Sequence, residues 1–230
     1  MKKTLTIYHG STQIIPKPIF HGGKKHNDFG YGFYCTEDIE LAKEWAAGSG
    51  INAFVNKYSI DIEYLKVLNL NSSDFTILNW IAILLKHRVF SISFPVAFKA
   101  YQYIIDNFYI NVDAFDVIIG FRADDSYFDY ANAFITNSIT LNQLARAMKL
   151  GNLGEQVVIK SEYAFSQLRH LGVEEVPYVN YGVKRRAREN QANKMFLKLL
   201  EEEDNGLYIN DILKEGIKND DPRIPRNVFR

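Results

Sequence analysis

The 230-residue chain carries a single cysteine, Cys35. One thiol excludes an internal disulfide and a multi-cysteine metal site, and it fits a reducing, cytoplasmic compartment. Lying beside aromatic residues, Cys35 reads as a small buried apolar side chain rather than a nucleophile. Net charge is lacking too, since 27 Lys and Arg balance 27 Asp and Glu. A global pull toward nucleic acid or an anionic membrane is thereby not indicated. Long hydrophobic runs are missing. The longest, Ile77 to Leu85, is interrupted by Asn79 and falls short of the roughly 20 apolar residues of a membrane span, so it reads as a buried helix. Met1-Lys2-Lys3-Thr4 carries charge but opens no apolar stretch of signal-peptide length. No internal repeat is visible.

What is abundant is aromatic. There are 16 Phe and 14 Tyr within a composition that is 47% hydrophobic and 23% charged, ordinary for a globular protein with a well-filled core. The length suits one large domain or two small ones. Residues 4–9 alternate as a strand ending at His9-Gly10, and a turn-rich segment with Pro16, Pro18, Gly22 and Gly23 follows. A second strand is expected over 31–36, then a helix from Thr36 with Leu41, Ala42 and Trp45 on one face, ended by Gly48 and Gly50. Residues 51–60 and 66–70 are further strand candidates. Two apolar helical patterns over 74–109, joined at Ser93-Phe94-Pro95, read as a helical insertion. Strands at 116–120 and 157–159 alternate with helices near 126–135, 140–149 and from Ser161, and a charged helical tail runs from Lys184. The uneven strand spacing predicts an α+β fold rather than a regular βαβ series. A domain over 1–180 with a C-terminal helical tail over 181–230, packed on it or extending from it, is the expected organisation.

Chemistry concentrates in two motifs. Tyr8-His9-Gly10-Ser11 closes the first strand, and Phe29-Gly30-Tyr31-Gly32-Phe33-Tyr34 leads into the second, with Trp45 eleven residues beyond Tyr34. Taken alone, a strand-end histidine, two aromatics and a glycine pair are ordinary structural residues. Their order and spacing resemble the ADP-ribosyltransferase superfamily, and most of all the branch of poly(ADP-ribose) polymerase catalytic domains with its His-Tyr-Glu triad. Together with Asp116-Val117-Ile118-Ile119-Gly120 and the run from Leu153 to Glu162, the chain over roughly residues 4–170 is similar to an uncharacterised bacterial family of such domains.

The resemblance implies split antiparallel sheets with flanking helices, and NAD+ as substrate. His9 would hydrogen-bond the 2′-hydroxyl of the nicotinamide ribose, and Gly10, with Ser11 beside it, would bring backbone to the carboxamide. Tyr34 would stack on the nicotinamide and Trp45 would cover its other face, each contact contributing about 0.5–1.5 kcal/mol beyond burial. The third position departs from the pattern. Glu155 and Gln156 open the late strand, and neighbouring strand residues point to opposite faces, so one of them enters the cleft. Gln156 is favoured because the related bacterial pattern carries glutamine there, although Lys160, on the same face, tilts that face toward solvent. A glutamine positions the ribose without a charge, which favours transfer of single ADP-ribose units over polymer synthesis.

Further candidates read as structural. Asp124-Asp125 can touch substrate but suit a cap for the helix at Ser126. His21 and His26 with Asp28 lack a fourth ligand for a metal. The basic run Lys184 to Arg188 can meet phosphates but reads as a solvated face balanced by the acids Glu201 to Asp204. The expected activity is transfer of ADP-ribose from NAD+ to a macromolecular acceptor, protein or nucleic acid, in a bacterial toxin or conflict role with a neutralising partner protein. An NAD or ADP-ribose binding module without turnover, and an NAD glycohydrolase, are the alternatives. Acceptor choice would lie in residues 11–28, the insertion and the 121–126 loop.

Overall fold

A computed structural model describes residues 3–90, 95–123, 125–150 and 154–226. The first strand, β1 (Thr4–Ser11), buries Leu5 and Ile7 and exposes Thr4 and Thr6, the alternation of a strand with one wet face. It pairs antiparallel with β3 (Ala53–Asp61), which pairs antiparallel with β7 (Arg169–Val176). A second sheet runs in the order β2 (Phe33–Cys35), β6 (Glu155–Ile159), β5 (Val117–Phe121), β4 (Val67–Asn69). It is antiparallel except where β4 joins β5 in parallel. The α+β class expected from strand spacing is the class observed.

Eight helices occur among the described residues: α1 (Ile39–Ala46), α2 (Ile77–His87), α3 (Pro95–Phe108), α4 (Asp125–Ile135), α5 (Leu141–Ala147), α6 (Glu162–Ser166), α7 (Tyr178–Leu200) and α8 (Ile209–Glu215). Helix α2 is buried continuously from Ile77 to Leu85 and forms the centre of the main core with Leu68, Ile118 and Val158 of the second sheet and Leu70 just past β4. A second cluster fills the space between the sheets, with Leu5, Ile7, Phe33, Cys35, Tyr58, Val157 and Ile159. No helix of the described residues is long and apolar enough to cross a membrane.

Several expectations are corrected. Helix α1 does not begin at Thr36, because that residue's N–H and C=O are taken by Tyr8 in a sheet bridge. Asp38 caps the helix instead, its carboxylate accepting from the N–H groups of Glu40 and Leu41. Strand β7 had no sequence signal. Its faces alternate weakly, it carries Gly172 at φ +143°, and its register slips opposite Lys57/Tyr58. Helix α7 begins at Tyr178 rather than Lys184, so the boundary expected at 180 falls inside it. The C-terminal region is tied down: Gln143 donates to the carbonyls of Leu199 and Glu202, and the Tyr103 hydroxyl donates to that of Ile217. The expected joint at Ser93-Phe94 lies outside the described residues.

Candidate active site

The site is made where the two sheets part. Tyr8 exchanges both backbone hydrogen bonds with Thr36 at 2.8 and 3.0 Å. Continued for two residues, that ladder would set Gly10 opposite Tyr34. It stops, and His9 intervenes: its Nδ1 donates to the Tyr34 carbonyl at 2.7 Å, and its ring packs on Phe33 with centroids 4.4 Å apart. Backbone groups alternate in direction along a strand, so the N–H and C=O of Gly10 point away from β3, as those of Tyr8 do. Because Nδ1 holds the proton for Tyr34, Nε2 presents its lone pair. Burial holds the His9 pKa below its ordinary value, against the Tyr34 carbonyl bond that raises it.

Tyr34 is anchored through its hydroxyl, which accepts from the Phe29 N–H at 3.0 Å and donates to the Gly30 carbonyl at 2.6 Å. Burial, with the Asp28 carboxylate adding to it, pushes this phenol well above its ordinary pKa. The ring therefore works as a neutral platform. Gly30 needs its freedom, with φ +73°, and a Cβ there would lie 2.7 Å from His87 Nδ1. At Gly32 a Cβ would meet Val158 Cγ1 at 2.5 Å. The glycine pair thus lets the motif fold tightly back over β6.

Of the two candidates on β6, Gln156 turns inward and is 2% exposed, whereas Glu155 is exposed and bonds Asn71. Burial raises the Glu155 pKa, the Asn71 bond opposing it. Glu155 borders a separate cleft with Thr36, Asp38 and Leu41. The Gln156 amide nitrogen donates to Asp28 Oδ2 at 2.9 Å and to the Phe121 carbonyl at 3.1 Å. Lys160 does not tilt this face to solvent. It is 8% exposed, donates to the Phe29 carbonyl at 2.7 Å and pairs with Asp113 at 2.9 Å.

Asp28 is the residue that sequence reasoning missed, having weighed it only as a loose metal ligand. Its carboxylate is buried, accepts from the Ala123 N–H at 2.9 Å and faces Arg88 Nε at 3.2 Å. Burial raises its pKa, and Arg88, Gln156 and Ala123 oppose that rise. The available signal was position: an acid directly before Phe-Gly-x-Gly.

His9, Gly10, Phe33, Tyr34, Gln156 and Asp28 border one cavity of about 650 Å³, within the range of small-molecule sites. Trp45 on α1 forms another part of its wall, with the Arg122 guanidinium over the indole at 4.5 Å. Trp45 Nε1 is buried without a hydrogen-bond partner. Among the described residues, Arg88, Arg122, Arg185 and Lys17 reach the cavity against one acid, Asp28, so cations predominate in its described lining. The mouth segment is fixed from below by buried Asn56, which accepts from the Ile15 N–H and donates to the Gln13 carbonyl, and by the Tyr58 hydroxyl on Ile15. Gly10 is required on its other side: a Cβ would lie 2.3 Å from the Ala42 carbonyl and 2.6 Å from Ala46 N. Ser11 does not border the cavity. Its hydroxyl accepts from the Gln13 N–H, a local turn bond.

The remaining candidates separate from this site. His21 stacks between Phe20 and Tyr31, and His26 bonds the His87 carbonyl at 3.3 Å. Among the described residues no group of three or more His, Cys, Asp or Glu could hold a metal. Cys35 is fully buried, which pushes its thiol well above its ordinary pKa. The basic run pairs with α1 rather than with the downstream acids: Lys184 lies 3.7 Å from Glu40, and Arg188 pairs with Glu44. Arg185 pairs with Glu189 at 2.7 Å at the edge of the cavity. Asp124 and the side chain of Asp125 lie outside the described residues, and α4 begins at Asp125.

Residues 5–170 match the model of a family described as a protein of unknown function, DUF3990. The chain belongs to that family, whose span holds every residue of the site except Arg185. No curated protein and no solved structure matches the chain.

Proposed function

We propose that the chain is an NAD-dependent ADP-ribosyltransferase, with the split-sheet fold of that superfamily, acting on a macromolecular acceptor. The observation that carries the reading is the convergence of His9, Tyr34 and Gln156 on one cavity of about 650 Å³. The nicotinamide ring would lie on the Tyr34 platform, its carboxamide meeting the N–H and C=O of Gly10. Arg122 already covers one face of Trp45, so the ligand ring takes the other indole face. The unpartnered Nε1 of Trp45 suits a ligand oxygen, and the arginines that border the cavity suit the diphosphate.

In the reaction the bond between the ribose C1′ and the pyridinium nitrogen breaks, and neutral nicotinamide leaves with the electron pair. The ribose becomes oxocarbenium-like, as in glycoside cleavage. His9 Nε2 accepts from the ribose 2′-hydroxyl and holds the sugar in register. Gln156 contributes its amide oxygen, a dipole rather than a charge. The carboxylate behind that amide is Asp28, hydrogen-bonded to the Gln156 amide nitrogen and paired with Arg88. It would hold the amide oxygen toward the cationic character that exists mainly in the transition state and polarise it. The acceptor nucleophile then bonds C1′ and loses its proton. A single uncharged third residue favours transfer of one ADP-ribose unit. A bacterial toxin or conflict role with a neutralising partner protein accords with this chemistry.

One observation favours a second reading, an NAD-binding module without turnover: the amide of Gln156 and the hydroxyl of Tyr34 are both engaged within the protein. NAD+ labelled on its adenylate portion separates the possibilities. Nicotinamide release with label on a macromolecule supports the transferase, and release with free labelled ADP-ribose supports a glycohydrolase. Binding without release leaves the module.

A further inference from the structure

A second cavity of about 580 Å³ lies behind the Asp28–Gly30 segment, and Gly30 and Lys160 border it. Its wall is basic. Lys25, Lys86 and Lys160 and the imidazoles of His21, His26 and His87 reach it, against the acids Asp113 and Glu162. Asp113 is already paired with Lys160 at 2.9 Å, and Glu162 sits in the first turn of α6. Neither Lys25 nor Lys86 has a carboxylate within ion-pair distance among the described residues; Lys86 instead lies over the Tyr109 ring at 5.9 Å.

Two buried polar groups at this wall have capacity to spare. The Lys160 ammonium has three N–H donors, of which two are used, by the Phe29 carbonyl and Asp113. His87 Nε2 is buried and has no hydrogen-bond partner. Buried polar atoms without partners cost free energy, and an anion in the cavity would offer acceptors to the third Lys160 N–H and to His87 Nε2 in the tautomer that protonates it. It would also relieve the clustering of cations, which, after burial itself, holds the His87 pKa below its ordinary value.

We propose that this second cavity is an anion site for a phosphoryl group, carried by a phosphomonoester. Several ammonium and imidazole donors converge there, more than the two oxygens of a carboxylate can engage, while a phosphate dianion offers three terminal oxygens. The site is separate from the first cavity, and phosphate binding there does not depend on NAD+ being the substrate. The two cavities share the Asp28–Gly30 wall. On one side Tyr34 and Gln156 hold it, and on the other Lys160 does.

Calorimetric titration with inorganic phosphate at constant ionic strength tests the proposal, with sodium acetate as the comparison anion. Saturable binding of one phosphate per chain is expected, with acetate at least tenfold weaker. The double variant K25A/K86A, which removes two exposed side chains, should weaken phosphate at least tenfold. Arg122→Ala, on the first cavity, should leave it unchanged. In the unmodified protein the His87 ring proton resonances should shift with the same saturation curve. Absence of saturable heat, equal binding of acetate, unmoved His87 resonances, or loss in Arg122→Ala rather than in K25A/K86A would each overturn the assignment.

Discussion

His9 ties the chemistry of the site to pH. Burial holds its folded pKa below the ordinary value of 6.5, so the unfolded chain binds more protons between those two values. Stability therefore rises with pH across that window and is lost as pH falls through it. His87 carries the same sign, whereas raised carboxylates such as Asp28 carry the opposite one. The expected outcome is thus comparative: thermal unfolding of His9→Gln should depend less on pH than that of the unmodified protein just below pH 6.5. Protonation also removes the acceptor lone pair on Nε2, so nicotinamide release should decline on acidification, with its midpoint below pH 6.5. His9→Ala should lower release roughly 100-fold or more, in the range for a lost transition-state contact, while retaining the unmodified circular dichroism spectrum.

At the third position, Gln156→Glu sets a second carboxylate against Asp28, whose pKa burial already raises. Like charges at that range cannot both ionise freely. The variant should lose roughly 1–3 kcal/mol in denaturant titrations at neutral pH and recover part of it near pH 5. It should not gain activity, since the carboxylate at this site is already Asp28. The placing of His9 and Tyr34 on neighbouring strand ends was legible from motif spacing. Strand alternation fixed that only one of Glu155 and Gln156 turns inward, while the choice of Gln156 came from the family pattern and not from alternation. Asp28, Arg88 and Arg122 were not legible, because their convergence depends on contacts such as the one between Ala123 and Asp28, far apart in the chain.

Among the elements, β1 and α1 fit together through Gly10. Gly10→Ala drives a methyl group into the α1 backbone at Ala42 and Ala46, and backbone yields less readily than a flexible side chain. A loss of about 1–3 kcal/mol is expected in chemical denaturation, so weak activity in this variant would report a displaced helix as well as an altered carboxamide contact. Tyr34→Phe deletes a hydroxyl holding both Phe29 N–H and Gly30 C=O. It should cost about 1–3 kcal/mol and raise amide exchange in the 28–30 segment, with smaller effect on ring stacking. Elements with strong periodicity, β1, α2 and β5, were legible to within a few residues. Strand β7 was not, because only Val176 of it is buried and hydrophobic alternation carries no signal on a wet edge strand. The cap of helix α1 lies two residues later than expected, at Asp38: Thr36 suits a cap, but its backbone was claimed by Tyr8.

In the molecule as a whole, two small sheets share a core and part at one end, and that parting is the cavity. The histidine that separates them, His9, presents its Nε2 lone pair at that cavity, and in the proposed reading it meets the ribose there. The fold class was legible from strand spacing. The gathering of arginines was not, because Arg88, Arg122 and Arg185 come from three distant segments and a formal net charge of zero says nothing of where charges cluster. Saturation-transfer NMR with NAD+ tests the central claim most directly, since it reports which part of the dinucleotide touches protein. Strong transfer to the nicotinamide ring protons, lost in both Tyr34→Ala and Trp45→Ala, is the predicted result. Transfer confined to the adenine protons, or nicotinamide signals that survive both substitutions, would contradict the account.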